Sequence, residues 1–391
     1  MKSYNCFAIL IAFVGIVLIQ CQSKIDEGVS IGTPSLLIDN KEILPFEEFV
    51  SSIEFIPLIA PKDTLINLSC SVYDLVIKDK IYYASRCSKD FSIHSFDLSG
   101  NHLRSWNKKG SGPGEYPAIH DIIVENSTLF INTGRGNLLK YSLPAFEYLG
   151  EIKLVENNFV PTVSKNGEDS WLISSEKIGN GQEKIFQILN TKTNEVKALP
   201  ILSLPYSGEL NPGLIADSEM GKILNFGLSD TIYHFQEDTV TSYLSLNFGS
   251  KGIAAEDYEL EGHNFMEKIL LSQNYAFNSG LIDYSDGVLK LMIYGLEKSN
   301  NFDQGDLSTF PFYDVFIQRD TGKKKITKSL TDVRNNSYSK EGYFYQVMQY
   351  EDWQRAIDIS YFGKHEEQLL QCIENLTDEE DPIILKYKVT F

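Results

Sequence analysis

The stretch Gly110-Ser111-Gly112-Pro113-Gly114-Glu115-Tyr116 carries three alternating glycines, a composition that could cradle a phosphate on backbone amides. That chemistry needs a helix N-terminus directly after the loop. Pro117 follows instead, then a strand-like run over 119–124, and there is no Lys-Ser/Thr pair. The remaining reading is a tight connection from the outer strand of one sheet to the inner strand of the next, with glycine allowing positive φ. The six histidines (His94, His102, His120, His234, His263, His365) show neither HxxxH nor HxH spacing, so any metal site would have to be assembled from separate strands. Asp74, Asp121 and Glu168 sit at comparable positions in successive repeats and could ring a Ca²⁺ through oxygen ligands. Their plainer role is to open each inner strand and hydrogen-bond the preceding turn. No G-x-S-x-G elbow is present, and carboxylates are too numerous to single out a glycosidase pair. No catalytic, cofactor-binding or metal-binding residue is assigned, and no cofactor is expected.

The residue with the clearest chemistry is Cys21. Lys2 is the only charge ahead of an unbroken apolar run from Phe7 to Ile19. A helix of that length spans about 20 Å, short of the roughly 30 Å hydrocarbon core of a bilayer. A short basic region followed by a short apolar one is the pattern of a secretory signal. No A-x-A-like cleavage site follows. The run ends in Leu18-Ile19-Gln20-Cys21 and then turns polar, which resembles a bacterial lipobox, whose cysteine is diacylated and becomes the mature N-terminus. Gln20 departs from that pattern, where a small residue is usual. The alternative is an uncleaved signal anchor. One acyl chain holds a protein only marginally, so a multiply acylated cysteine makes attachment durable. The expected organisation is a lipoprotein signal peptide over 1–20, a tether over 21–35 and a folded body over 36–391, with lipidation at Cys21. The expected location is the bacterial cell envelope, as an outer membrane lipoprotein.

With residues 1–20 removed the chain has 34 basic and 53 acidic side chains, a net charge of −19. That argues against nucleic acid as a partner, since phosphates need a basic surface, and against electrostatic attachment to an anionic leaflet. Contact with a membrane would run through the N-terminal lipid. Three cysteines follow Cys21, namely Cys70, Cys87 and Cys372. Cys70 and Cys87 flank one expected strand and could pair, which an exported compartment permits, and an odd count leaves at least one thiol.

These residues sit on a repeated unit. Asp74–Tyr83 reads as two apolar runs around a Lys-Asp-Lys turn, and the same shape returns at Asp121–Ile131 and about one interval later at Trp171–Ser174. Each is followed by a hairpin: 92–106 around Ser99-Gly100, 138–154 through Pro144, and 186–199 around 190–194. Alternation of apolar and polar residues between such turns is the hairpin signature. Four strands per unit of about 45 residues predict a β-propeller. Later units run through 221–246, 287–327 and from 342 onward. Residues 255–272 and 351–380 carry helix-type spacing and are expected as helical insertions. A ring must close, because an open one leaves unpaired edges. The strong strand Ile383–Phe391 is therefore expected to share a blade with a segment near 35–59, such as Ile53–Leu58. The aromatics, 12% of residues, could line a glycan surface but at strand spacing more often pack between blades.

The GxGPGEY turn after a Trp-ended hairpin resembles the six-bladed β-propeller lipoproteins of Bacteroidetes-type bacteria. So do Ser52–Leu58, Asp230-Thr231-Ile232-Tyr233 with Asn247-Phe248-Gly249, and Asp381–Leu385. The resemblance covers nearly the whole mature chain. It implies an all-β, NHL- or TolB-like six-bladed ring at the envelope and supplies no catalytic residue. The expected function is an envelope-anchored binding or scaffold module for a protein or glycan partner, without catalysis. The alternative, a metal-dependent lactonase or esterase, rests on fold analogy alone.

Overall fold

The computed structural model describes residues 33–61, 73–85, 91–154, 159–174, 184–202, 204, 213–260, 262–303, 309–330, 338–378 and 381–391. Positions 1–32 with Cys21, and both Cys70 and Cys87, lie outside that set. The described chain opens with β1 (Ser35–Leu37) and β2 (Val50–Pro57) and then builds six four-stranded antiparallel sheets.

The first blade is β3 (Tyr73–Ile77), β4 (Ile81–Ser85), β5 (Ile93–Phe96) and β6 (His102–Trp106), and the second is β7 (Asp121–Glu125), β8 (Thr128–Asn132), β9 (Asn137–Ser142) and β10 (Tyr148–Lys153). The third is β11 (Val163–Lys165), β12 (Ser170–Ser174), β13 (Phe186–Asn190) and β14 (Glu195–Ala198). The fourth is β15 (Leu214–Ser218), β16 (Gly221–Asn225), β17 (Thr231–Gln236) and β18 (Thr239–Asn247), and the fifth is β19 (Phe277–Ser285), β20 (Val288–Tyr294), β21 (Phe312–Gln318) and β22 (Lys324–Lys328). The sixth takes β23 (Tyr338–Lys340), β24 (Tyr343–Met348) and β25 (Ile383–Val389) from the C-terminal end and β2 from the other. Local sequence explains the hairpins. Asp286-Gly287 and Glu341-Gly342 hold positive φ at both positions, the geometry whose twist matches the flanking strands.

The closing blade follows the expectation from the sequence. β2 pairs antiparallel with β25, Phe55 opposite Leu385 and Ile56 opposite Ile384. The segment ahead of it does something the sequence did not suggest. β1 adds in parallel to β18 in the fourth blade, and Ile43 bridges Ile326 of β22 in the fifth. Beyond β2, Ile59 bridges Asn101 at the start of β6. Residues 35–59 thus supply the outer strand of the sixth blade and touch the outer edges of the fourth, fifth and first. Gly100 permits the last contact, since a Cβ there would collide with the Pro57 carbonyl.

Between blades the strands bury apolar faces. Ile56, Val347 and Ile384 pack with Leu75, Ile77, Tyr83 and Phe96 across the closing junction. Val76 and Ala84 meet Ile122, Ile131 and Tyr141 at the next. Tyr83, Tyr116, Tyr141, Phe186 and Tyr387 are fully buried, so the aromatics pack between blades. The helical insertions are present. A 3₁₀ turn (Ala255–Glu259), a short helix α1 (Gly262–Phe265) and a π turn (Met266–Leu270) pack on Tyr294 and Phe312. Helices α2 (Tyr350–Asp358) and α3 (Glu366–Glu374) lie between β24 and β25 and bury Trp353, Leu369 and Cys372 against Phe46 and Tyr387. Burial pushes the Cys372 thiol up to about 12, which makes it a packing residue.

Ile384 is fully buried at the junction between the last blade and the first. Ile384→Ala is expected to lower unfolding free energy in urea by about 2–5 kcal/mol, whereas Leu98→Ala, at an exposed turn, is expected to change it by less than about 0.5 kcal/mol.

Candidate functional site

The inner strands of the six blades enclose a central cavity of about 580 Å³, within the usual range for small-molecule sites. Its lining is mixed: Asp74, Asp121, Asp217, Asp283, Lys165 and Lys222 face it together with aliphatic residues of the inner strands such as Leu75, Ile122, Ile215 and Leu281.

At the mouth formed by the turns after the inner strands, neighbouring blades are joined by side-chain bridges. Lys165 of β11 meets Glu125 of β7 at 2.5 Å, and toward the other end of the same two strands the Val163 amide donates to Asp121 Oδ2 at 3.3 Å. Lys222 of β16 pairs with Asp217 and donates to Ser164 Oγ across the next junction at 2.8 Å. Tyr284 donates to Glu219 Oε1 at 2.6 Å, and Ser339 Oγ donates to the Tyr284 carbonyl at 2.8 Å. Tyr338 donates to the Ile77 carbonyl at 2.9 Å and Lys340 Nζ to the Lys78 carbonyl at 3.3 Å. Five of the six blade junctions carry such a link. Between the first and second blades the described packing is apolar, through Val76, Ile122 and Val124.

Each part-exposed pair adds about 0–1 kcal/mol, so the ring of bridges contributes orientation more than stability. Burial, followed by the Asp217 charge, pushes the Tyr338 hydroxyl up to about 12. Burial and the hydrogen bond to Glu219 raise Tyr284 further. Both hydroxyls therefore stay neutral donors across the physiological range.

The structure separates the carboxylates that the sequence grouped. Asp74 and Asp121 lie on inner strands, but Glu168 sits in the turn between β11 and β12, so the three form no ring. Asp121 instead accepts the bond from Val163. Among the described residues no group of three or more His, Cys, Asp or Glu side chains is placed to hold a metal. His94 Nδ1 and His102 Nε2 each lie 2.8 Å from Ser105 Oγ, on strands away from the cavity. Burial lowers the His102 imidazole below its ordinary value.

The glycine-rich stretch is a connection from β6 to β7, as read. Only Gly114 of its three glycines has positive φ. Gly110 is small for another reason, since the Glu115 carboxylate folds back over it and accepts from the Gly112 amide at 2.8 Å. The loop is pinned by Tyr141, which donates to the Gly114 carbonyl at 3.1 Å, and by buried Tyr116, which accepts from the Lys108 amide at 3.0 Å. The amides of Gly110, Gly112, Glu115 and Tyr116 are spent internally, and a strand rather than a helix follows, which removes the phosphate reading.

The residues missed by sequence reasoning are Ser164, Lys165, Glu219, Lys222 and Tyr284. A signal existed: each falls at or beside the turn between the first two strands of its blade.

A family model described as a domain of unknown function, DUF4934, matches residues 30–388. The chain belongs to the DUF4934 family. No curated relative matches the sequence. Among solved structures, a Bacteroides fragilis NCTC 9343 protein named for its predicted export superposes with a TM-score of 0.70 at 13% identity, covering 91% of this chain and 99% of that one. A member of the DUF4221 family from Bacteroides vulgatus superposes with a TM-score of 0.56 at 13% identity, covering 87% and 97%. At such identity the likeness extends to the fold. This DUF4934 chain is a six-bladed β-propeller, and among its described residues no helix is long and apolar enough to cross a membrane.

One buried ion pair lies outward of the cavity, between the fifth and sixth blades. Lys290 Nζ is 3.6 Å from Asp314 Oδ2, with both side chains almost fully buried. Burial pushes the Asp314 carboxyl up, and the Lys290 ammonium draws it back. Asp314→Ala, which strips Lys290 of that counter-charge, is expected to cost about 3–5 kcal/mol in urea unfolding. The double substitution Lys290→Met with Asp314→Leu is expected to recover most of that loss; equal losses in both would place the cost in packing instead.

Proposed function

We propose that this protein is an envelope-anchored lipoprotein whose propeller is a binding module, with the cavity mouth as the site and a glycan as the partner. The observation that carries the reading is the ring of inter-blade bridges, which holds ammonium, carboxylate and hydroxyl groups in fixed positions around a cavity of about 580 Å³. Pre-oriented polar groups of both signs suit a polyhydroxylated ligand, because they donate and accept without a reorganisation cost on binding. The acidic surface, with net charge −18 over the full chain, points away from polyanionic partners. The superposition with a Bacteroides protein named for its predicted export supports a site of action outside the cytoplasm. A scaffold role toward a protein would use the propeller faces rather than the cavity. The metal-dependent lactonase or esterase reading gains no support from the donor set.

Binding to a panel of soluble glycans, read by calorimetry with the full chain in detergent, tests the site. Lys222→Ala is expected to weaken the best ligand about tenfold, or ~1.4 kcal/mol. Unchanged affinity in Lys222→Ala, or no binding across the panel, would refute the cavity as a glycan site.

The anchor is tested separately. Cys21→Ser is expected to abolish incorporation of labelled palmitate and to move the protein out of the membrane fraction. Retention in the membrane without label would indicate an uncleaved signal anchor.

A further inference from the structure

Outer strands of a propeller present unpaired backbone to solvent, and proteins blunt such edges by covering them or by kinking them with bulges. Five of the outer strands here are managed in one of those ways. β18 is covered by β1, β22 is met by Ile43, and β2 packs against α3 while pairing inward with β25. β6 and β10 each break register with their neighbour. β14 is neither covered by a described residue nor kinked; it is short and charged, and its Lys197 turns away an edge of like charge but not one that presents an acidic residue opposite it. Its pairing with β13 runs without a register shift, no described residue pairs with its outer edge, and all four of its residues are exposed.

We propose that two copies of this chain pair through β14, antiparallel about a two-fold axis at Val196. The register favours this centre. The Leu199 amide donates to the Phe186 carbonyl, so by alternation Ile188 with Lys197 and Asn190 with Glu195 are the hydrogen-bonded pairs of the β13–β14 ladder. The amide and carbonyl of Val196 therefore point to the outer edge. Two such edges brought together antiparallel make Val196 and its counterpart a hydrogen-bonded pair. Glu195 of each copy then stands opposite Lys197 of the other in the non-hydrogen-bonded positions, where facing side chains come closest. The segment Glu195-Val196-Lys197 is thus complementary to itself in charge, as a symmetric interface requires. The existing partners of these charges are weak: Lys197 lies 3.7 Å from exposed Asp238, and Glu195 accepts from Thr193 Oγ1 at 3.1 Å on the surface. Val196 is 47% exposed and is covered in the paired state.

Four residues a side make a modest contact, so trapping is the suitable readout. In a hydrogen-bonded antiparallel pair the two Cα atoms lie about 5.5 Å apart, within the span a disulfide bridges. Val196→Cys in the full chain, oxidised mildly in detergent, is expected to give a covalent dimer joined at position 196, identified by mass spectrometry. Ala198→Cys serves as the control, because its two copies would be four residues out of step, about 13 Å apart. In the Val196→Cys background, Glu195→Lys or Lys197→Glu alone is expected to reduce the yield severalfold. Mixing the two variants is expected to restore it, since every facing pair is then of opposite charge. Equal trapping at 196 and 198, absence of trapping at 196, or failure of the mixture to recover would each overturn the proposal.

Discussion

The antiparallel pairing of β2 with β25 is the contact on which the remaining structure depends. It joins residues more than 300 positions apart, with Glu54 reaching Lys386 at 2.7 Å and the Thr390 amide donating to the Phe49 carbonyl at 2.8 Å. Such a contact recovers its loop-closure entropy only when the blades between are in place. Once made, it buries Ile56 and Ile384 against the first blade and turns a row of sheets into a ring. The N-terminal segment then runs on around the rim to the fourth, fifth and first blades.

Closure also creates the cavity mouth. Six inner strands surround one cavity only in a closed ring, and closure brings Tyr338 and Lys340 to the Ile77 and Lys78 carbonyls, completing the series of bridges that Lys165, Lys222, Tyr284 and Ser339 make between consecutive blades. These bridges are individually weak, but together they fix where donors and acceptors sit. Fixed polar groups around a cavity are suited to recognition, since their orientation entropy is lost on folding and not on binding.

The fold was legible because its strands obey period-two alternation and its turns carry Gly, Asn and Asp. The closing strand was legible from a topological need, that a ring leave no open edge. β1 was not, since Ser35-Leu36-Leu37 is too short to show a period and its partner β18 lies some 210 residues away. Glu168 was misplaced for a simple reason. Val163, in the third inner strand, follows Asp121 by 42 residues, so a constant interval counted from Asp74 overshoots into the next turn. The bridging residues of the cavity mouth were hidden by their chemistry. Lysines and serines beside turns read as solvated surface in sequence, and only the approach of the next blade gives them partners. In the glycine-rich stretch the loop was recognised but its internal contacts were not, because the fold-back of Glu115 over Gly110 is a contact that no local pattern announces.

Native-state hydrogen exchange by mass spectrometry, with fragments resolving β2 and β25, tests the central claim most directly. If pairing of β2 with β25 holds the ring closed, their amides exchange only on global unfolding, with the same free energy as the inner strands and the same denaturant dependence. Exchange of β2 through a local opening, at markedly lower free energy while β7 and β19 stay protected, would contradict the account, because the ring and its cavity would then stand without the clasp.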